Sequence, residues 1–134
     1  MEKNKPYFLI AEDDLDDQFL LQEMFSHFCD RTRARFLQNG VELMNFLENK
    51  KDNPVLPSLV LLDLNMPYKD GRKALSEIRE NPDLVSLPVV VLTTSSNEKD
   101  IQYCKDKGVD AFYTKPSSMD ELRGIIKCIC FEYA

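Results

Sequence analysis

Five apolar runs of strand length punctuate the chain, at Tyr7 to Ala11, Ala34 to Leu37, Leu59 to Leu62, Val89 to Leu92 and Ala111 to Tyr113. Each gives way to a polar break and then to a stretch of helical period. Leu15, Phe19, Leu20, Met24, Phe25 and Phe28 recur at three- and four-residue steps, the stripe of an amphipathic helix. Val41, Met44 and Leu47 repeat the pattern, as do Ala74, Leu75 and Ile78, then Ile101 and Cys104, and finally Leu122, Ile125, Ile126 and Ile129. The first, third and fourth runs are apolar on both faces, as strands are when helices cover both sides of a parallel sheet. Strict alternation with short links predicts right-handed crossovers and an open, doubly wound α/β sheet.

The breaks carry their own chemistry. Asn39-Gly40, Asp70-Gly71 and Asn81-Pro82 read as turns or helix boundaries, Lys107-Gly108 as a helix stop, and Ser117 or Ser118 as the N-cap of the last helix. The stretch from Asn49 to Pro57 suits a surface loop before a central strand. The 134 residues make one domain, large enough to fold without a disulfide or structural metal.

Charge narrows the function. Seventeen Lys and Arg against 23 Asp and Glu leave a net charge of −6, a poor starting point for binding nucleic acid or a membrane surface. No apolar stretch is long enough to cross a bilayer, and the N-terminus lacks the pattern of a signal peptide, so a cytoplasmic protein is expected. Cys29, Cys104, Cys128 and Cys130 show no C-x-x-C spacing. They are expected to be small hydrophobes in a reducing compartment.

In an open α/β sheet, ligands bind beyond the carboxyl ends of the strands. Glu12, Asp13 and Asp14 follow the first strand, Asp63 and Asn65 the third, Thr93 and Thr94 the fourth, and Lys115 the fifth. Carboxylates converging on one pocket repel one another unless a cation neutralises them, and magnesium suits a site of few carboxylates with carbonyl and water ligands. Lys115 and the Thr93 hydroxyl then supply a point charge and a donor for an anionic oxygen. Together these groups suggest phosphoryl chemistry with a carboxylate nucleophile. Acids at 12 to 17 also suit the first turn of a helix, and Asp16 and Asp17 are expected to be no more than that. Asp63 is harder to explain so, because a lone acid directly after Leu59-Val60-Leu61-Leu62 is costly beside a core without a partner.

Phe8-Leu9-Ile10-Ala11-Glu12-Asp13-Asp14, Leu61-Leu62-Asp63-Leu64-Asn65-Met66-Pro67 with Asp70-Gly71, Pro88-Val89-Val90-Val91-Leu92-Thr93 and Lys115-Pro116 occur in this order. Over about residues 6 to 132 the chain thereby resembles a response-regulator receiver domain of two-component signalling, of the stand-alone, chemotaxis-regulator-like kind. The resemblance implies a flavodoxin-like sheet in strand order 2-1-3-4-5, with Asp63 as phosphoacceptor. It implies that Glu12, Asp13, Asp63 and the backbone carbonyl of Asn65 hold Mg2+, and that Thr93 and Lys115 bind the phosphoryl group. A sensor histidine kinase or phosphotransfer protein would be the donor, and the chain would catalyse only its own phosphorylation and dephosphorylation. The switch aromatic of the family falls on Phe112, which lacks the hydroxyl of tyrosine. The bond before Pro116 is expected to be cis. Thr94 stands where a small alanine or glycine is commoner and, with Asn65 and Ser95, is expected to alter dephosphorylation.

With no further module after residue 134, output is expected to act on another, unidentified protein. Two other classes compete: a phosphorylation-independent adaptor with the same fold, and an aspartate-nucleophile phosphatase of the haloacid dehalogenase type. The phosphatase would normally carry an acid where Asn65 stands. The last helix has more apolar residues than one core-facing stripe requires. Phe131 and Tyr133 are therefore expected to form a homodimer or partner surface, the alternative being a terminus folded back onto the core.

Overall fold

The computed structural model describes residues 6–29 and 32–134. Strands β1 (Tyr7–Ala11), β2 (Arg33–Leu37), β3 (Leu59–Leu62), β4 (Val89–Thr93) and β5 (Ala111–Thr114) alternate with helices α1 (Leu15–Phe28), α2 (Gly40–Glu48), α3 (Gly71–Glu80), α4 (Glu98–Asp106) and α5 (Met119–Tyr133). The strands form one parallel sheet in the order β2-β1-β3-β4-β5. Ala11 pairs with Leu37 on one side and Leu62 on the other, and Leu62 pairs with Val91, so the carboxyl ends of the central strands lie level.

Side chains of a strand alternate between faces, and the sheet divides the core accordingly. Leu9, Val60, Leu62, Val89 and Val91 pack with Leu43, Leu47, Leu75 and Ile78 of α2 and α3 and with Cys104 of α4. Phe8, Ile10, Leu61 and Val90 pack on the opposite face with Leu21, Met24 and Phe25 of α1 and with Ile126 and Ile129 of α5. The helix starts follow the sequence signals. The side chains of Asp14, Asn39, Asp70 and Ser118 each accept a backbone N–H of the first turn that follows. Gly108, after α4, takes a left-handed φ of 69°.

Three expectations need correction. Leu15 and Phe19 are 67% exposed, because the buried face of α1 runs through Leu21, Met24 and Phe25 instead. Val41 is likewise exposed, and Leu43 takes its place. The cysteines are not all free hydrophobes: Cys29 and Cys130 are joined as a disulfide with Cα atoms 5.7 Å apart, while Cys104 and Cys128 are free. Their separation of 101 residues hides the pairing from any local spacing rule. In α5, Tyr133 folds back, its hydroxyl 3.3 Å from Asp110 Oδ2, whereas Phe131 is 91% exposed.

Candidate functional site

Backbone hydrogen bonds carry the parallel ladder one step past the strands and so fix the site residues. The Glu12 N–H donates to the Leu37 carbonyl at 2.9 Å, Asp63 N–H to the Ala11 carbonyl at 3.1 Å, and Lys115 N–H to the Thr93 carbonyl at 2.7 Å. Glu12 and Asp63 are therefore buried, at 2% and 6% exposure, while Asp13 projects into solvent. Gly71 allows α3 to start against this edge. A Cβ there would sit 2.2 Å from the Asp63 carbonyl oxygen and 2.7 Å from Leu64 Cα, which are backbone atoms that cannot turn aside.

One oxygen from each of Glu12, Asp13 and Asp63 lies within 4.8 Å of the others. Asp63 Oδ1 accepts the Asn65 N–H at 3.1 Å, and Glu12 Oε2 accepts the Asp14 N–H at 3.1 Å. The Lys115 ammonium faces this group, 2.5 Å from Glu12 Oε1, 2.8 Å from Asp17 Oδ2 and 3.3 Å from Asp63 Oδ2. Burial pushes the Glu12 carboxyl up to about 7, although the hydrogen bonds from Lys115 and from the Asp14 N–H pull it down. Burial works against the charged form of Lys115, and the hydrogen bonds to Asp17 and Glu12 more than offset it, so its pKa is raised. A single ammonium shared among three carboxylates leaves the site short of positive charge. Clustered oxygen donors of this kind fit a hard divalent cation.

The end of β4 forms the opposite wall. Thr93 is fully buried and its Oγ1 accepts the Ser95 N–H at 3.4 Å. Thr94 is exposed, its Oγ1 receiving Asn65 Nδ2 at 3.4 Å, which is how these two meet. Ser95 donates its hydroxyl to Asp100 Oδ2 at 2.6 Å, and Arg72 grips the same carboxylate with two bonds of 2.7 Å. Those bonds, the Arg72 pair first, hold the Asp100 carboxyl down at about 2. Phe112 is half-buried against the core layer of α2, α3 and α4.

Glu12, Asp13, Asp63, Thr93 and Lys115, expected at one edge of the sheet, lie there. Asp17, expected only to decorate a helix start, grips Lys115, and the Arg72–Asp100 pair has no local signal because its partners lie 28 residues apart. The bond before Pro116 is not cis: no cis peptide bond occurs among the described residues. Trans is the intrinsically favoured isomer before proline, and with it Lys115 already reaches Glu12 and Asp63.

Comparison with known proteins agrees with this geometry. Residues 8–127 match the family model described as response regulator receiver domain. The chain is 39% identical over 131 residues to response regulator Rcp1 of Synechocystis sp., covering 96% of this chain and 89% of that one. It is 30% identical over 129 residues to the probable methanogenesis regulatory protein FilR2 of Methanothrix harundinacea, covering 95% and 83%. Among solved structures, the Mn2+-bound form of Rcp1 superposes with a TM-score of 0.85 at 38% identity, over 92% of this chain and 91% of that one. The phosphorylated cyanobacterial phytochrome response regulator RcpA superposes with a TM-score of 0.89 at 36% identity, over 96% and 94%.

Proposed function

The chain belongs to the response-regulator receiver family, and from that premise we propose that it accepts a phosphoryl group on Asp63 from a sensor histidine kinase or phosphotransfer protein, in a Mg2+-dependent reaction, and signals through a protein partner. The observation that carries this reading is the meeting of Glu12, Asp13 and Asp63 oxygens within 4.8 Å, with the Lys115 ammonium 3.3 Å from Asp63. The relatives whose structures hold Mn2+ or are phosphorylated support it.

Glu12, Asp13, Asp63 and the backbone carbonyl of Asn65 would hold the cation. Bound there, it would neutralise the acids and draw electron density from the phosphoryl oxygens. An Asp63 oxygen forms the new bond to phosphorus, in line, as the bond to the donor histidine nitrogen breaks and that imidazole keeps the electron pair. Lys115, beside Asp63 Oδ2, provides a fixed positive charge for the product oxygens. The Thr93 hydroxyl, whose oxygen accepts the Ser95 N–H, turns its own hydrogen to donate to one of those oxygens, which draws on the loop before α4 and lets Phe112 turn further inward. The altered surface of α4, β5 and α5 is then read by another protein. Exposed Phe131 offers an apolar contact to that protein or to a second copy of the chain. Such a protein would act in the cytoplasm.

Incubation with radiolabelled acetyl phosphate and Mg2+ tests the assignment. Wild type should become labelled and Asp63→Asn should not. Equal labelling of the two would end it.

A further inference from the structure

Cys29 and Cys130 lie at the ends of α1 and α5 remote from the acidic cluster, and we propose that they form a reversible thiol–disulfide exchange site, oxidised by a small-molecule disulfide of the glutathione class, that locks these two helices together. The proposal does not depend on the phosphoacceptor reading.

Their Cα separation of 5.7 Å falls inside the range a disulfide spans. Cys29 is the C-cap of α1, held by its N–H donating to the Phe25 carbonyl at 2.7 Å. Cys130 sits in the last turn of α5, where helix ends fray and a reagent gains access. Both side chains are nearly covered, at 5% and 8% exposure, among Phe8, Phe25, Ile126 and Ile129. A free thiol behaves as a small hydrophobe, so this apolar pocket can hold two thiols once their sulfurs move apart from bonding to contact distance. The two remaining cysteines cannot compete. Cys104 is buried in the core layer on the other face of the sheet, and Cys128, two residues from Cys130 on the helix, points into solvent.

The bond has a structural consequence. At the opposite end of the same pair of helices, Asp17 in the first turn of α1 grips Lys115, just before α5. When reduced, the packed faces of the two helices are clasped by an ion pair at one end only; when oxidised, they are clasped at both ends. With a core of this size, the fold itself does not depend on the bond.

The exchange proceeds in two steps. A thiolate of the pair attacks one sulfur of the small disulfide and expels a small thiolate, which takes up the released proton. The second protein thiolate then attacks the protein sulfur of that mixed disulfide and expels the other half. Two protein thiols are oxidised by two electrons, and one small disulfide is reduced to two thiols.

The test uses the full chain, equilibrated natively in reduced and oxidised glutathione and then denatured for thiol counting. The thiols should fall from four to two with loss of two hydrogens in mass, and a peptide map should join Cys29 to Cys130. Dithiothreitol should restore four thiols while the circular dichroism stays native. The oxidised form should melt roughly 10 °C higher than the reduced form. Cys104→Ser and Cys128→Ser should still form the Cys29–Cys130 bond, falling from three thiols to one, and Cys29→Ala should form no internal bond. Four thiols at every ratio, a bond that uses Cys128, or a Cys29–Cys130 bond that dithiothreitol cannot open in the folded protein would each overturn the proposal. Since wild type alone yields these readouts, the result survives a variant that fails to fold.

Discussion

Asp17 Oδ2 lies 2.8 Å from Lys115 Nζ although 98 residues separate them, which makes the first turn of α1 a wall of the acidic site. The Asp17 side chain is 37% exposed, so the pair is open to water and salt. Asp17→Asn should therefore lower stability by about 1 kcal/mol at low ionic strength, and by less in 1 M salt. Urea midpoints at the two salt concentrations measure this. A deficit that grows with salt would contradict the assignment.

Removing the ammonium should cost more. In Lys115→Met, Glu12 and Asp63 keep their burial but lose their shared cation, a change expected to cost about 3 kcal/mol. Because the lysine no longer competes for these oxygens, added Mg2+ should recover more stability in the variant than it adds to wild type. Thermal melts with Mg2+ and with a chelator decide the point; equal Mg2+ gains in both proteins would count against the metal assignment.

The clasp between Arg72 and Asp100 gives a pH signature. With its carboxyl held at about 2 against an ordinary 3.8, Asp100 favours the folded state above pH 3.8, and that contribution disappears as pH falls through about 2. Arg72→Ala should cost about 1–2 kcal/mol at pH 6, and its deficit relative to wild type should shrink from pH 4 toward pH 2. Asp100→Asn should cost a similar amount, and the double variant should cost less than the two singles added together. Denaturant titrations across that range provide the measurement.

Thr94 reaches Asn65 through a hydrogen bond of 3.4 Å at the open side of the site. A hydroxyl placed there can orient a water toward a phosphoryl group on Asp63. Thr94→Ala should accordingly lengthen the half-life of the phosphorylated protein by about 2- to 10-fold, the worth of one hydrogen bond. Decay of label after removal of acetyl phosphate reports this directly, and an unchanged half-life would refute the role.

Much of the architecture could be read from the residues because a parallel sheet buried on both faces leaves continuous apolar runs, as in Leu59 to Leu62 and Val89 to Leu92. The site was legible for the same reason: Glu12 and Asp63 stand immediately after such runs, and Lys115 stands just past the shorter, partly buried run Ala111 to Tyr113. What escaped depends on distance through space. Nothing near Asp17 announces Lys115, nothing near Cys29 announces Cys130, and Arg72 and Asp100 meet because α3 and α4 cover the same face of the sheet. Periodicity also misled locally. Leu15 and Phe19 keep helical spacing with the core residues of α1 yet lie rotated toward water.

The amides of Glu12, Asp63 and Lys115 are each pinned to the neighbouring strand rather than to a loop. The spacing of the charged groups is thus inherited from the strand-to-strand repeat of the sheet, about 4.8 Å. Lengthening the connection between α2 and β3, which lies at the other end of the strands, would leave that ruler unaltered. Evolution and engineers alike are free to rewrite that distant rim without retuning the chemistry.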